Sequence, residues 1–391
     1  MKKIFFLITV FSLSSLFAQS EQGFFGNKYL RFGYQAGKVL PTHKFFEGEN
    51  ASGQPIDYFQ SVRLELGTQT DGSEEWHHVF NFPTYGVGLY AANFFDDKEL
   101  GTPSAVYAYF DWPFKRYTKS ALSAEFGFGL AYDWQPFEPE DNPYNLVIGM
   151  GRSVYIDVGL KYTYQISKHF DLSGQISFTH FSNGSTQQPN AGVNLMAPRI
   201  NLSYNFGGHP VLPARKVLPE YTDDNKELTF SVTYGSKSEV FTVEDYPETD
   251  GPYDNLRRAD HNVFAFIATY NKQFYYNSKY GIGAEVEYDP SLGVVYKYID
   301  GEVVKIDSET KDKIRAGIFA QYVLVIHRLE GLVGVGYYIF GRNPGSLPKL
   351  YQRLGARYYV FKDFALGVNL RFYDFSKADN MEFNFAYRIN L

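Results

Sequence analysis

The sequence contains no cysteine. That excludes a disulfide framework, a thiolate metal site and any mechanism with a thiol nucleophile. No uninterrupted apolar run reaches the ~20 residues that a membrane-spanning helix needs. Positive charge is also in deficit, with 37 Lys and Arg against 43 Asp and Glu and a formal net charge of −6, so no nucleic-acid partner is indicated. What the chain has in excess is aromatic surface: 33 Tyr and 36 Phe in 391 residues, at a mean hydropathy of only −0.30. Many aromatics, moderate hydropathy and short alternating segments together form the sequence signature of a transmembrane β-barrel.

Residues 1–18 read as a secretory signal. Lys2 and Lys3 give the positive start, Ile4 to Val10 the apolar centre and Ala18 the small residue at the cleavage point. Export, no membrane helix and barrel-like strands place the protein in the outer membrane of a Gram-negative bacterium. Eight strands are predicted near 28–37, 58–68, 85–94, 103–112, 121–134, 152–165, 170–182 and 193–206. Residues 207–226 carry Gly207, Gly208, Pro210, Pro213 and Pro219. That stretch is too long and too Pro-rich for the short inner turn of a continuous barrel.

A second pass of the same architecture follows over 227–391, with strands near 227–236, 262–272, 279–289, 312–327, 329–341, 350–360, 364–376 and 381–391. Internal similarity supports it. Gly159-Leu160-Lys161-Tyr162 aligns with Gly355-Ala356-Arg357-Tyr358, and Phe178-Thr179-His180-Phe181-Ser182-Asn183 with Phe372-Tyr373-Asp374-Phe375-Ser376-Lys377. The expected fold is therefore all-β: a transmembrane, antiparallel outer-membrane β-barrel built as two tandem eight-stranded repeats. The divisions are 1–18 (signal), 19–206 (first barrel), 207–226 (linker) and 227–391 (second, degenerate barrel). A single sixteen-stranded barrel is the alternative that the linker argues against.

The chemistry concentrates at His180-Phe181-Ser182-Asn183-Gly184. On a strand, His180 and Ser182 share a face with Ile176 and Phe178. A hydroxyl beside an imidazole is the minimum for an activated serine nucleophile. Asn194, on the next strand, shares parity with Ile200, Leu202 and Tyr204. If these residues face outward, His180, Ser182 and Asn194 meet as base, nucleophile and orienter. Barrels of this kind start in the periplasm, so the seventh strand runs outward. His180 and Ser182 are then expected at the outer rim, facing lipid. The aligned stretch of the second repeat keeps Ser376 but has Asp374 for the histidine, and without an imidazole it lacks a suitable general base.

His180-Phe181-Ser182-Asn183-Gly184 followed by Pro189-Asn190-x-Gly192 resembles the lipid A 3-O-deacylase (PagL) family, also described as acyloxyacyl hydrolase-like. The resemblance covers about residues 24–206. It implies an eight-stranded outer-membrane barrel that hydrolyses an ester-linked acyl chain of lipid A, with His180 as base and Ser182 as nucleophile. Asn183 and Asn190 match asparagines associated with the oxyanion hole. The Gly184 N–H is a further candidate donor, since a tetrahedral oxyanion needs about two of them. The best-known members have a Glu where this chain has Asn194. Outer-membrane phospholipase A, with a similar His-x-Ser-Asn-Gly motif, has an Asn there.

The expected partners are thus lipopolysaccharide (lipid A) or a phospholipid, within the outer membrane. No cofactor is expected, and calcium enters only under the phospholipase A-like alternative. A non-enzymatic structural or transport barrel is the reading from another class. Glu138, Glu140 and Asp141 are expected in a solvated outer loop. Adjacent His77 and His78 would point opposite ways on a strand, and Asp307 to Lys313 reads as an exposed charged loop.

Overall fold

The computed structural model describes residues 26–242, 256–341 and 349–391; the expected signal at 1–18 lies outside them. Alternation decides the architecture. In β1 (Lys28–Leu40) Leu30, Phe32 and Tyr34 are exposed, while Arg31 and Gln35 are buried. The same inside-out pattern repeats in β2 (Tyr58–Gln69), β3 (Thr84–Asn93), β4 (Gly101–Arg116), β5 (Ser120–Trp134), β6 (Ser153–Gln165), β7 (Phe170–Ser182) and β8 (Val193–Asn205). Apolar side chains outside and polar ones inside are the arrangement a strand adopts when one face meets lipid and the other a lumen. These eight strands form a closed antiparallel barrel. It is sealed by β1 and β8 in a register running from Tyr29↔Asn205 to Leu40↔Asn194.

A second closed barrel follows, built from β9 (Lys226–Thr242), β10 (Leu256–Tyr275), β11 (Ser278–Tyr288), β14 (Ile314–Ile326), β15 (Leu329–Phe340), β16 (Leu350–Tyr359), β17 (Phe364–Tyr373) and β18 (Lys377–Asn390). The chain therefore makes two eight-stranded barrels in tandem, not one of sixteen strands. Between β11 and β14 a hairpin of β12 (Val295–Ile299) and β13 (Glu302–Ile306) stands outside the barrel. It falls between the predicted strands 279–289 and 312–327. Its turn is Asp300-Gly301, both at positive φ, the dipeptide that a two-residue hairpin favours.

Two other expectations change. His77 and His78 lie on a short helix, α1 (Glu75–Val79), and both are buried, so the strand argument about their directions does not apply. β17 stops at Tyr373 rather than 376, because Asp374 and Phe375 take positive φ and turn the chain. The segment Asp307–Lys313 is charged and exposed over most of its length, as expected, but it ends in a 3-10 turn over Thr310–Lys313 whose Lys313 is buried and contacts Asp307 at 2.8 Å.

Eight strands enclose a space that side chains can fill, and both lumens are filled. In the first barrel Glu125 accepts from Arg31 at 2.6 Å, Lys161 at 2.9 Å and Arg199 at 2.6 Å. Asp157 takes Arg63 at 2.8 Å and Arg199 at 3.2 Å. In the second barrel Glu330 joins Lys279 at 2.7 Å and Arg357 at 2.6 Å. Charges taken out of water need partners of this quality. Tyr90, Tyr107, Tyr155 and Phe181 complete the first lumen towards the end where β7 terminates.

Candidate active site

β7 delivers the motif with its alternation intact. Ile176 is 67% exposed on the outer face, whereas Thr179 and Phe181 are fully buried in the lumen. His180 and Ser182 therefore project outward, at the end of the strand. Behind them Thr179 Oγ1 donates to Asp157 Oδ2 at 2.7 Å, which ties this part of β7 to the luminal charge network. Asn194 is the direct cross-strand partner of His180 in the β7–β8 register. It lies on the outer face with Met196, Ile200 and Leu202, all exposed.

The three side chains are not equally connected. His180 Nδ1 is 2.6 Å from Asn194 Oδ1. An amide oxygen only accepts, so Nδ1 carries the proton and the Nε2 lone pair is left free. Ser182 Oγ has no hydrogen bond to His180. It accepts instead from Asn190 Nδ2 at 2.9 Å and from the Gly184 N–H at 3.1 Å. Asn183 does not point its side chain at Ser182. Its Nδ2 donates to Gln187 O at 2.7 Å, and its N–H meets Asn190 Oδ1 at 3.4 Å. Asn183 thus braces the connection and orients Asn190.

The connection between β7 and β8, residues 183–192, is built for close approach. Gly184 and Gly192 have φ of 61° and 77°. At Gly192 a Cβ would come within 2.9 Å of Phe181 O and 3.3 Å of His180 Cε1. Only glycine lets the backbone pass this close to the imidazole. Neighbouring loops hold the segment from the other side. Thr42 Oγ1 donates to Gly192 O at 2.6 Å, and the N–H groups of Gly192 and Ala191 donate to Val147 O at 2.9 Å and Leu146 O at 3.2 Å.

Sequence reasoning missed this supporting cap. Its key residue is Asn145, wholly buried in the β5–β6 loop. Asn145 Nδ2 donates to Glu99 O at 2.7 Å and Gln135 O at 2.8 Å, while its Oδ1 accepts from the Val147 and Ile148 N–H groups. Glu99 in turn accepts from the Ala51 N–H at 3.1 Å. Phe45, Phe46, Phe94 and Trp134 pack beneath, each fully buried ring contributing about 1.5–3 kcal/mol. An asparagine near a Pro-containing loop signals a turn, but nothing in the sequence says which loops it joins.

Residues 60–205 match the family described as lipid A 3-O-deacylase (PagL), and residues 227–391 match the acyloxyacyl hydrolase C-terminal domain, PagL_C. The chain is PagL-like in both halves. No curated protein matches it. Among solved structures, the outer membrane enzyme PagL is 14% identical, spanning 44% of this chain and 97% of its own, with a TM-score of 0.28. The OccAB4 protein of Acinetobacter baumannii is 12% identical over 93% of this chain and 98% of its own, at 0.24. A deletion mutant of the monoaromatic hydrocarbon channel TodX is 10% identical over 93% and 89%, at 0.19. The family matches carry the coarse reading of this PagL-like chain as an outer-membrane hydrolase acting on lipid A.

The other candidate positions stay apart from this site. In the PagL-like first barrel Glu138, Glu140 and Asp141 are exposed on the β5–β6 loop. His77 contacts Asp71 at 3.3 Å and Glu74 near the opposite end of the barrel. No group of three or more metal-ligating side chains occurs among the described residues.

Proposed function

We propose that the protein is a serine ester hydrolase that removes an ester-linked acyl chain from lipid A, with Ser182 as nucleophile, His180 as general base and Asn194 as orienter. The observation that carries this reading is the outward convergence of His180, Asn194, Ser182 and Asn190 at one end of a β7–β8 hairpin.

Ser182 Oγ attacks the ester carbonyl carbon and passes its proton to His180 Nε2. The tetrahedral oxyanion takes donors that the nucleophile occupies at rest: Asn190 Nδ2 and the Gly184 N–H. Asn183 acts by holding Asn190 and the loop. Collapse breaks the ester C–O bond, and the departing alkoxide takes the proton from His180. Water, deprotonated by His180, then attacks the acyl-serine and releases the fatty acid. The missing His180–Ser182 hydrogen bond is the contact that substrate binding would complete, since such bonds often tighten only in the substrate complex. Asn194 fixes the imidazole tautomer but adds no negative charge to the imidazolium. The outer face of the strands, apolar from Ile176 upward, offers acyl chains a lipid-continuous approach to Ser182.

Asn194 gives phospholipid esters a specific claim as the second substrate, because an amide orienter is what the outer-membrane phospholipase A motif has. Mass spectrometry of lipids from a Gram-negative host expressing wild type or Ser182→Ala tests both. Loss of one acyl chain from lipid A in the wild type alone is the expected result. Lysophospholipid in its place transfers the reading to phospholipids. Unchanged lipids with a folded, membrane-inserted protein end the hydrolase reading.

A further inference from the structure

The second barrel touches the site. On β9 the outward-facing residues Val232 and Tyr234 are exposed, yet Ser238, of the same parity, is only 4% exposed. Ser238 lies beyond the last β9–β18 pair, Met381↔Ser236. There the two strands that seal the second barrel part company, and an open sheet edge needs partners for its backbone groups. Those partners come from the β7–β8 loop. The Ser238 N–H donates to Ser185 O at 2.9 Å, and Ser185 Oγ donates to Ala378 O at 2.8 Å. Ser185 is buried, at a φ of 64°. One residue earlier, a Cβ on Gly184 would meet Met381 Cβ at 3.0 Å and Leu370 Cδ1 at 3.1 Å. Both are outward residues of the second barrel that are half-buried here, unlike exposed Leu366 and Phe383.

We propose that the second barrel is a positioning element of the hydrolase site: its parted β9–β18 seam grips Ser185 and thereby fixes the Gly184 N–H on the oxyanion. The inference rests on the hydrolase reading for its catalytic part, but the grip itself does not. An oxyanion donor stabilises the transition state only where it is held in place beforehand. Gly184 has no side chain to anchor it, and a glycine backbone is the most freely rotating. The first barrel holds the Gly192 end of the loop through Thr42 and Val147. The Gly184 end is held from the second barrel. Ser185 is accordingly a positioning residue, and the degenerate repeat has a use that requires no triad of its own.

The test uses the full chain in detergent or outer-membrane vesicles. Ser185→Gly keeps the positive φ and removes the hydroxyl; Ser238→Pro removes the backbone donor. Three quantities are read: lipid turnover, the rate at which a fluorophosphonate probe labels Ser182, and amide hydrogen exchange over 183–187. Turnover and labelling are expected to fall about tenfold, with KM little changed and exchange over 183–187 faster. Wild-type turnover and labelling in both variants overturn the proposal. If Ser238→Pro fails to give heat-modifiable, folded barrels, Ser185→Gly decides. If wild type neither hydrolyses lipid nor takes the probe, the hydrolase reading has failed. Exchange then judges the grip alone, and unchanged protection over 183–187 in the variants refutes it.

Discussion

The two barrels are alike in their walls and differ at one rim. Lys161 of β6 and Arg357 of β16 align in sequence, and each reaches a buried glutamate on the preceding strand, Glu125 or Glu330. The divergence begins where the seventh strand ends. In the first barrel β7 runs on through His180 and Ser182, and residues 183–192 form a braced loop before β8. In the second, β17 stops at Tyr373 and the chain turns back over 374–376 into β18. Asp374 and Ser376, the aligned counterparts, are therefore exposed turn residues and not neighbours on a strand face. Eight-stranded walls supply stability; on the proposed reading, the chemistry depends on the length of one strand and the loop beyond it.

The sharpest way to break this comparison is to change the aligned positions in parallel. His180→Ala is expected to lower lipid hydrolysis about 10⁴-fold or more, whereas Asp374→Ala leaves it unchanged. Equal losses in a turnover assay would mean that the second rim takes part in the chemistry. Next in size is Asn190→Ala, which removes the side-chain donor on Ser182 and should cost about 10²–10³ in kcat. Retention of wild-type kcat would take Asn190 out of the oxyanion site.

The walls should respond alike. Glu125→Gln and Glu330→Gln each leave buried cations without their carboxylate, at about 3–5 kcal/mol. Denaturant midpoints measured for each barrel by a site-specific label would show comparable drops, and a large asymmetry would undo the claim of equivalent scaffolds. Gly192→Ala has no counterpart in the second rim. Its Cβ would press on Phe181 O and His180 from a left-handed backbone, a strain of about 1–3 kcal/mol. Activity should fall while the second barrel's unfolding stays unchanged.

The smallest effect concerns the linker. His209 meets Asp171 at 2.7 Å, and that hydrogen bond raises the imidazole pKa above its ordinary value. A raised value means that the contact contributes fully below the unfolded pKa of ~6.5 and is lost as pH rises through the folded one. Melting followed from acid to mildly alkaline pH should show a decline worth under about 1 kcal/mol. His209→Ala should abolish it.

The alternation of apolar and polar residues made nearly all barrel strands legible, because lipid outside and ion pairs inside impose period two on the sequence. The same parity placed His180, Ser182 and Asn194 on one outer face. Less legible was whatever depends on contacts between distant loops. The family resemblance matches Asn183 to the oxyanion hole, while in the structure its Nδ2 donates to Gln187 O. Asn145 carries no mark beyond being an asparagine in a loop. The β12–β13 hairpin was within reach, since Asp300-Gly301 lies between two runs rich in β-branched and aromatic residues, but most of its described side chains are exposed and the runs show no wide apolar stripe.

The seam between β1 and β8 has one further consequence. Asn194 stands opposite Leu40 across it, and Thr42, just past β1, holds Gly192. The β7–β8 hairpin brings Asn194 to His180 by itself, but the Thr42 anchor on Gly192 forms only where the first and last strands meet. On the hydrolase reading proposed above, a nascent chain still travelling to its membrane holds the imidazole pair but not the clamped loop, and the finished site comes with closure.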